Sequence, residues 1–273
     1  MKRSHKRQKQ HIISEMLRAI WKFSLVSEGS RILVALSGGK DSSLLAYLLK
    51  DMQAWYEKPF SLAAINVKTD ITCGGCAKEG RIREFAESIN LPVEILRIRI
   101  RDHLMEGQKP DCFVCSWNRR KAIFQYATKE GFDRVAFGHH RDDFAETALM
   151  NLFFNGEFVS MAPKQVMFRG NLTLIRPLVF VPEEKITAMV DKLGFAYSQC
   201  LCPYGENSKR LWVKKFLENA EKETKDIKAN IFRSALEKML TMEGGFTPKR
   251  RPNLKGEKSG DKPRPAQDTL CGR

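Results

Sequence analysis

The chain has 273 residues, 42% hydrophobic and 29% charged, with a net charge of +15. That is enough chain for one large α/β domain with a real core, or a domain plus an extension. No apolar run approaches the length of a membrane span, and no apolar signal core follows the basic residues 1–7, so a cytoplasmic protein without membrane contact is expected.

Residues 8–26 predict an amphipathic N-terminal helix, with Ile12, Ile13, Met16, Leu17, Ile20 and Trp21 on one face. A short apolar run at 32–36 then predicts a strand, and 41–55 a helix. Between them stands Ser37-Gly38-Gly39-Lys40-Asp41-Ser42. Strand, glycine turn and helix together gather free backbone N–H groups at a helix N-terminus, where an anion is favoured. Two glycines let the main chain approach phosphate oxygens closely, Ser37 and Ser42 add hydroxyls, and Lys40 adds a cation. The string is not a Walker A loop. It resembles the PP-loop, SGGxDS, of ATP pyrophosphatases, which cleave ATP to AMP and pyrophosphate; the alternative is an ordinary serine/glycine turn.

Strand candidates follow at 62–67, 93–98, 134–137 and 172–175, alternating with helix candidates at 78–89, 117–129, 142–154 and 183–192. This alternation predicts a doubly wound, mostly parallel sheet with helices on both faces, an α/β fold of Rossmann-like type. In such a sheet the ligand site lies beyond the C-terminal strand ends. That gathers the glycine loop and segments 66–76, 102–115 and 138–143 on one rim. The expected organisation is an N-terminal helix (1–26), a nucleotide-binding domain (27–200), a helical extension (201–243) and a basic disordered tail (244–273). Residues 1–10 hold five Lys/Arg and no acid, and residues 247–273 hold eight against three acids. Such ends hold RNA through its phosphates or serve solubility alone.

The second nucleotide signature is Gly138-His139-His140-Arg141-Asp142-Asp143-Phe144-Ala145-Glu146-Thr147, which follows a strand and opens a helix. Gly138 permits close approach of a nucleotide, and Asp142 and Asp143, with Asp41, could hold a magnesium ion bridging phosphates; helix capping by Asp142 is the alternative. GHHxDDxxET resembles the second motif of tRNA-modifying PP-loop enzymes, the lysidine synthetases and 2-thiocytidine synthetases among them.

Seven cysteines in a cytosolic chain point to metal or redox chemistry rather than disulfides. Cys112-Phe113-Val114-Cys115, followed by Arg119-Arg120, resembles the tRNA 2-thiocytidine biosynthesis (TtcA) family, which has a C-x-x-C and a basic pair between the two nucleotide motifs. Cys202-Pro203-Tyr204-Gly205 looks like that family's third cysteine, and the resemblance runs from about Arg7 to Leu240. It implies an adenine nucleotide α-hydrolase-like fold and a [4Fe–4S] cluster held by Cys112, Cys115 and Cys202, with Cys200 the rival third ligand. Three protein thiolates leave one iron open to an exogenous sulfide. Cys73 and Cys76 are not required by the family pattern. They read as a sulfur-relay or redox pair, as half of a Cys₄ zinc site with Cys112 and Cys115, or as incidental.

The activity implied is 2-thiolation of a tRNA cytidine: ATP adenylates the ring oxygen, and sulfur displaces AMP. On this reading Ser37, Gly38, Gly39, Ser42 and Ser43 hold the phosphates, and Ala35, Asn66 and Gly138 border the nucleotide. Lys40 and Arg119 offset the charge that develops during adenyl transfer, and Asp41 and Asp143 serve the magnesium ion. The cofactors implied are ATP, Mg²⁺ and the cluster. The partners implied are tRNA, through an anticodon-loop cytidine, a sulfur donor such as a cysteine desulfurase, and a second copy in a homodimer. The alternatives are a PP-loop ligase of lysidine-synthetase type and a zinc-stabilised RNA-binding protein without turnover.

Overall fold

A computed structural model describes residues 3–71, 78–103, 112–198 and 208–241. Among the described residues six strands form one sheet: β1 (Arg31–Ala35), β2 (Ser61–Thr69), β3 (Val93–Ile98), β4 (Arg134–Ala136), β5 (Lys164–Met167) and β6 (Leu172–Ile175). Their spatial order is β3-β2-β1-β4-β6-β5, parallel throughout except for the antiparallel β5–β6 pair. The α-helices of the described residues are α1 (Arg3–Phe23), α2 (Lys40–Met52), α3 (Glu79–Ser88), α4 (Cys112–Lys129), α5 (Arg141–Asn155), α6 (Glu183–Leu193), α7 (Lys209–Ala220) and α8 (Ile227–Thr241). Among the described residues no helix is long and apolar enough to cross a membrane.

Alternation along β1 builds both halves of the core. Ile32 and Val34 join the cluster formed with α1, α2, α6 and α8, while Leu33 and Ala35 join the one formed with α4. A strand buried on both faces reads as an unbroken apolar run, which is why this one is conspicuous. Leu44, Leu45, Leu48 and Leu49 of α2 are fully buried, each contributing about 1.5–3 kcal/mol to holding that helix on the sheet.

The chain moves outward from β1 through β2 to β3, then returns to β4 on β1's other side. The gap between β1 and β4 is therefore the point where the winding reverses, and a crevice opens there above the strand ends.

Two elements depart from expectation. The helix expected at 117–129 begins at Cys112, so the C-x-x-C lies in its first turn rather than ahead of it. The sheet also gains β5, an edge strand. Its Val166 is 61% exposed and it lacks apolar alternation, so its sequence carries no strand signal. Cys73, Cys76, Cys200, Cys202 and the tail 244–273 lie outside the described residues.

Candidate active site at the switch point

β1 ends at Ala35, and Leu36 still donates its N–H to Ile65 O at 2.9 Å. The chain then turns through Gly38, at φ +84, into α2. That left-handed conformation strains any residue with a Cβ. Gly39 occupies the N-cap position and supplies no side-chain cap, so the first turn of α2 presents backbone N–H groups towards the crevice. Ser37 and Ser42 brace the loop from inside. Their hydroxyls are 3.0 Å apart, Ser42 Oγ donates to Gly39 O at 3.0 Å, and Gly39 N donates to Ser37 Oγ at 3.3 Å. Ser198 N donates to Gly38 O at 3.0 Å, so the segment after α6 folds back over the turn. Ser43 is buried and lines a small cavity with Gly38, Ile82, Phe85 and Ser198.

The turn after β4 is built differently. A Cβ on Gly138 would fall 2.9 Å from Asp41 C and from Ser42 N. The expected close approach is thus made in this structure by α2's own backbone, locking the two turns together. Asp143 Oδ2 accepts His140 N at 3.0 Å, capping α5, and Asp142 Oδ2 accepts Glu183 N at 2.6 Å, tying α6 to the same corner. Asp142 does cap, but across to α6. Both carboxylates expected to join Asp41 around magnesium therefore already have protein partners. Among the described residues no three His, Cys, Asp or Glu side chains are grouped to hold a metal. Asp41 remains at the crevice, with a buried Oδ1 3.7 Å from His140 Nε2 and 3.1 Å from Lys40 Nζ. A single carboxylate plus phosphate oxygens is a set that Mg²⁺ accepts.

Charges from α6 and α7 complete the corner, and no motif in the chain announces them. Lys40 Nζ lies 2.8 Å from Glu183 Oε1, and Lys214 Nζ lies 3.1 Å from Glu183 Oε2. Burial alone would raise the Glu183 pKa, but the Lys40 hydrogen bond and charge, with His140 and Lys214, outweigh it and lower it to about 2. Burial would lower the Lys40 pKa, but Asp41 and Glu183 outweigh it and raise it. Arg210 of α7 reaches into α5, with its guanidinium 3.7 Å from Asp143 Oδ1, 3.3 Å from Glu146 Oε2 and 3.3 Å from Thr147 Oγ1. Burial opposes the charge on Asp143, yet His140 and Arg210 hold its carboxyl well below the usual range. Behind them His139 accepts from Arg176 Nε at 3.3 Å, and burial followed by that guanidinium keeps it neutral.

Within neighbouring β2, level with the end of β1, Asn66 is buried and donates Nδ2 to Leu36 O at 2.7 Å, while its Oδ1 has no hydrogen-bond partner. A buried carbonyl left unpaired at a ligand crevice fits a donor brought by a nucleotide. Ala35, beside it, is buried against the α4 layer. Asp70 fixes the same rim, accepting Ile100 N at 2.6 Å and Arg101 N at 3.2 Å. Cys112 and Cys115 stand one helical turn apart at the start of α4, which places them on one face. Arg119 follows Cys115 by four residues on that face and is half-buried. A C-x-x-C in the first turn of a helix suits iron–sulfur or zinc ligation.

A PP-loop domain model matches residues 4–220. The chain is 31% identical over 223 residues to the tRNA-cytidine(32) 2-sulfurtransferase of Pelobacter propionicus, covering 80% of this chain and 81% of that one. It is 32% identical over 235 residues to the same enzyme of Coxiella burnetii, covering 85% and 91%. In fold it is similar to the U34-tRNA thiolase NcsA of Methanococcus maripaludis with its [4Fe–4S] cluster, at TM-score 0.71 and 23% identity, covering 93% of this chain and 86% of that one. Glycine loop, switch-point crevice and relatives agree: the chain belongs to the PP-loop family and, within it, to the tRNA 2-thiocytidine (TtcA) family.

Proposed function

We propose that the chain is an ATP-dependent tRNA sulfurtransferase that replaces the 2-oxygen of a cytidine with sulfur. The observation that carries this reading is the uncapped α2 N-terminus at the β1–β4 switch point, in a chain whose relatives are tRNA-cytidine(32) 2-sulfurtransferases.

The pyrimidine ring oxygen attacks the α-phosphorus of ATP, and pyrophosphate leaves. Backbone N–H groups of the Ser37–Ser42 turn and the α2 dipole take up the charge that develops on the phosphates. Lys40 exchanges part of its pairing with Glu183 for a phosphate oxygen, while Lys214 keeps Glu183 neutralised. Asp41 would hold magnesium, which when bound would offset phosphate charge, and Asn66 Oδ1 would accept from the nucleotide. Arg119, one turn after Cys115 on α4, would offset the charge that develops during adenyl transfer and on AMP as it departs once sulfur has attacked the ring carbon. Cys112, Cys115 and a third cysteine, Cys202 or Cys200, would hold the [4Fe–4S] cluster, which when bound supplies sulfide as the nucleophile. A loop nucleotide can be splayed into such a pocket at low cost. The sulfur ultimately comes from a donor such as a cysteine desulfurase, and a homodimer is the expected assembly.

The test is an anaerobic single-turnover reaction of reconstituted protein with unmodified tRNA, Mg·ATP and sulfide. It reads pyrophosphate together with nucleosides by mass spectrometry. Pyrophosphate released in step with 2-thiocytidine is expected, lost on Cys115→Ser along with the iron. Pyrophosphate with an amine adduct would mean a ligase, and none at all a non-catalytic binder.

A further inference from the structure

Outside the crevice, α1 and α8 enclose a groove of about 520 Å³ whose floor is Phe180 and Pro182. Six basic side chains line it, His11, Arg18 and Lys22 on α1, Arg141, Lys185, and Arg233 on α8, against two carboxylates, Glu15 and Glu237. Glu15 is taken by Arg18 at 3.0 Å, and that guanidinium also lies 3.8 Å over the Phe180 ring. Lys22 and Arg233 meet no carboxylate among the described residues, and Lys185 Nζ rests on His11 Nε2 instead of an acid. Arg141 Nε is buried without a hydrogen-bond partner, with its nearest carboxylate 3.9 Å from Nη2. Basic groups held side by side and left unsatisfied repel one another unless an anion joins them.

The cations are strung out rather than convergent. His11 to Lys22 spans about 17 Å of helix, and Arg7 continues the stripe one turn further. A single phosphate needs donors that converge on one point, whereas a polyanion meets successive cations along a track. One end of the track adjoins the candidate active site. Arg141 immediately precedes Asp142 and donates its N–H to Val181 O at 3.0 Å, and Pro182 immediately precedes Glu183.

We propose that the α1–α8 groove is a docking track for RNA phosphate backbone, holding the substrate tRNA so that an unpaired loop reaches the strand ends. This rests on the tRNA reading above. It assigns RNA binding to a folded groove rather than only to the basic chain ends.

The test titrates an unmodified tRNA transcript against the full chain by fluorescence anisotropy across a salt series. Lys22→Glu/Arg233→Glu is compared with Lys58→Glu/Lys129→Glu, a reversal of equal charge on exposed lysines outside the groove. Thermal melts confirm that both double variants fold. Affinity at 0.15 M salt is expected to fall at least tenfold in the groove variant only. Its slope of log K against log salt should become shallower by about two, one for each phosphate that is no longer neutralised. In the thiolation assay that variant should raise KM for tRNA with kcat retained. Equal losses in both variants, or unchanged affinity in the groove variant, overturn the assignment. So does poly-glutamate binding as tightly as tRNA. Groove-dependent tRNA binding by a protein that transfers no sulfur upholds the track and fells the sulfur reading; full thiolation with unchanged affinity does the reverse.

Discussion

The turns after β1 and β4 occupy equivalent places on either side of the switch point, yet they are built to opposite ends. The first leaves its helix uncapped, keeps Gly38 left-handed, and faces a buried Asn66 oxygen with nothing bonded to it. The second spends its carboxylates on the protein: Asp143 caps α5, Asp142 caps α6, Gly138 presses on α2, and Arg210 pairs with Asp143 and Glu146. One turn holds donors in reserve for a ligand. The other uses its polar groups to hold the first in place. Two similar motifs therefore do different work, receiving in one case and buttressing in the other.

Breaking the buttress has the largest expected effect. Arg210→Met strands Asp143 and Glu146 as buried carboxylates and should cost about 3–5 kcal/mol of stability, read from urea unfolding. If the Tm barely moves, the cluster is not the support described. Gly138→Ala comes next. Its Cβ meets backbone rather than a flexible side chain, so about 1–3 kcal/mol should be lost, and ATP affinity should fall with it because α2 must shift. Unchanged ATP binding in a destabilised Gly138→Ala protein would uncouple the two turns.

Acid sharpens the comparison through Glu183. Its folded pKa, about 2, lies below the ordinary 4.5. Its contribution is therefore complete above pH 4.5 and disappears as pH falls towards 2. After discounting for solvent screening this is roughly 2 kcal/mol. Glu183→Gln should flatten the stability profile across that window, and a curve parallel to wild type would remove Glu183 from the corner's electrostatics. The smallest stability effect belongs to the receiving turn. Gly39→Ser has room, the nearest atom to a Cβ there being Ser37 Oγ at 3.5 Å. It gives α2 the side-chain cap it lacks, so stability should hold or rise by a few tenths of a kcal/mol. ATP affinity should fall, because the new hydroxyl competes for the same N–H groups. A variant that binds ATP as well as wild type would show that those groups are not the phosphate cradle.

The sheet, its alternation with helices and the glycine loop are legible because each rests on local patterning. Apolar runs of strand length, 3.6-residue periodicity and glycine at a turn are all written within a dozen residues. β5 is not legible: an exposed edge strand has only one neighbour to satisfy, so its side chains need not alternate. The start of α4 is easy to miss: its one sequence signal is Asp111, a residue type favoured just ahead of a helix, and helical periodicity is clear only from Trp117 onward.

What the sequence determined by itself was the chemistry at hand: an anion-binding turn, a second signature at a strand end, and cysteines in a C-x-x-C. Tertiary structure alone decided how those groups are spent. Arg210, Lys214 and Glu183 come from helices distant in sequence, and only packing brings Glu183 to 2.8 Å from Lys40, Lys214 to 3.1 Å from Glu183 and Arg210 to 3.7 Å from Asp143. The same packing turned Asp142 from a free carboxylate into a cap of α6, whereas Asp143 caps its own helix from three residues away. A charge's role depends on its partners and its burial, and neither is written at its own position in the chain.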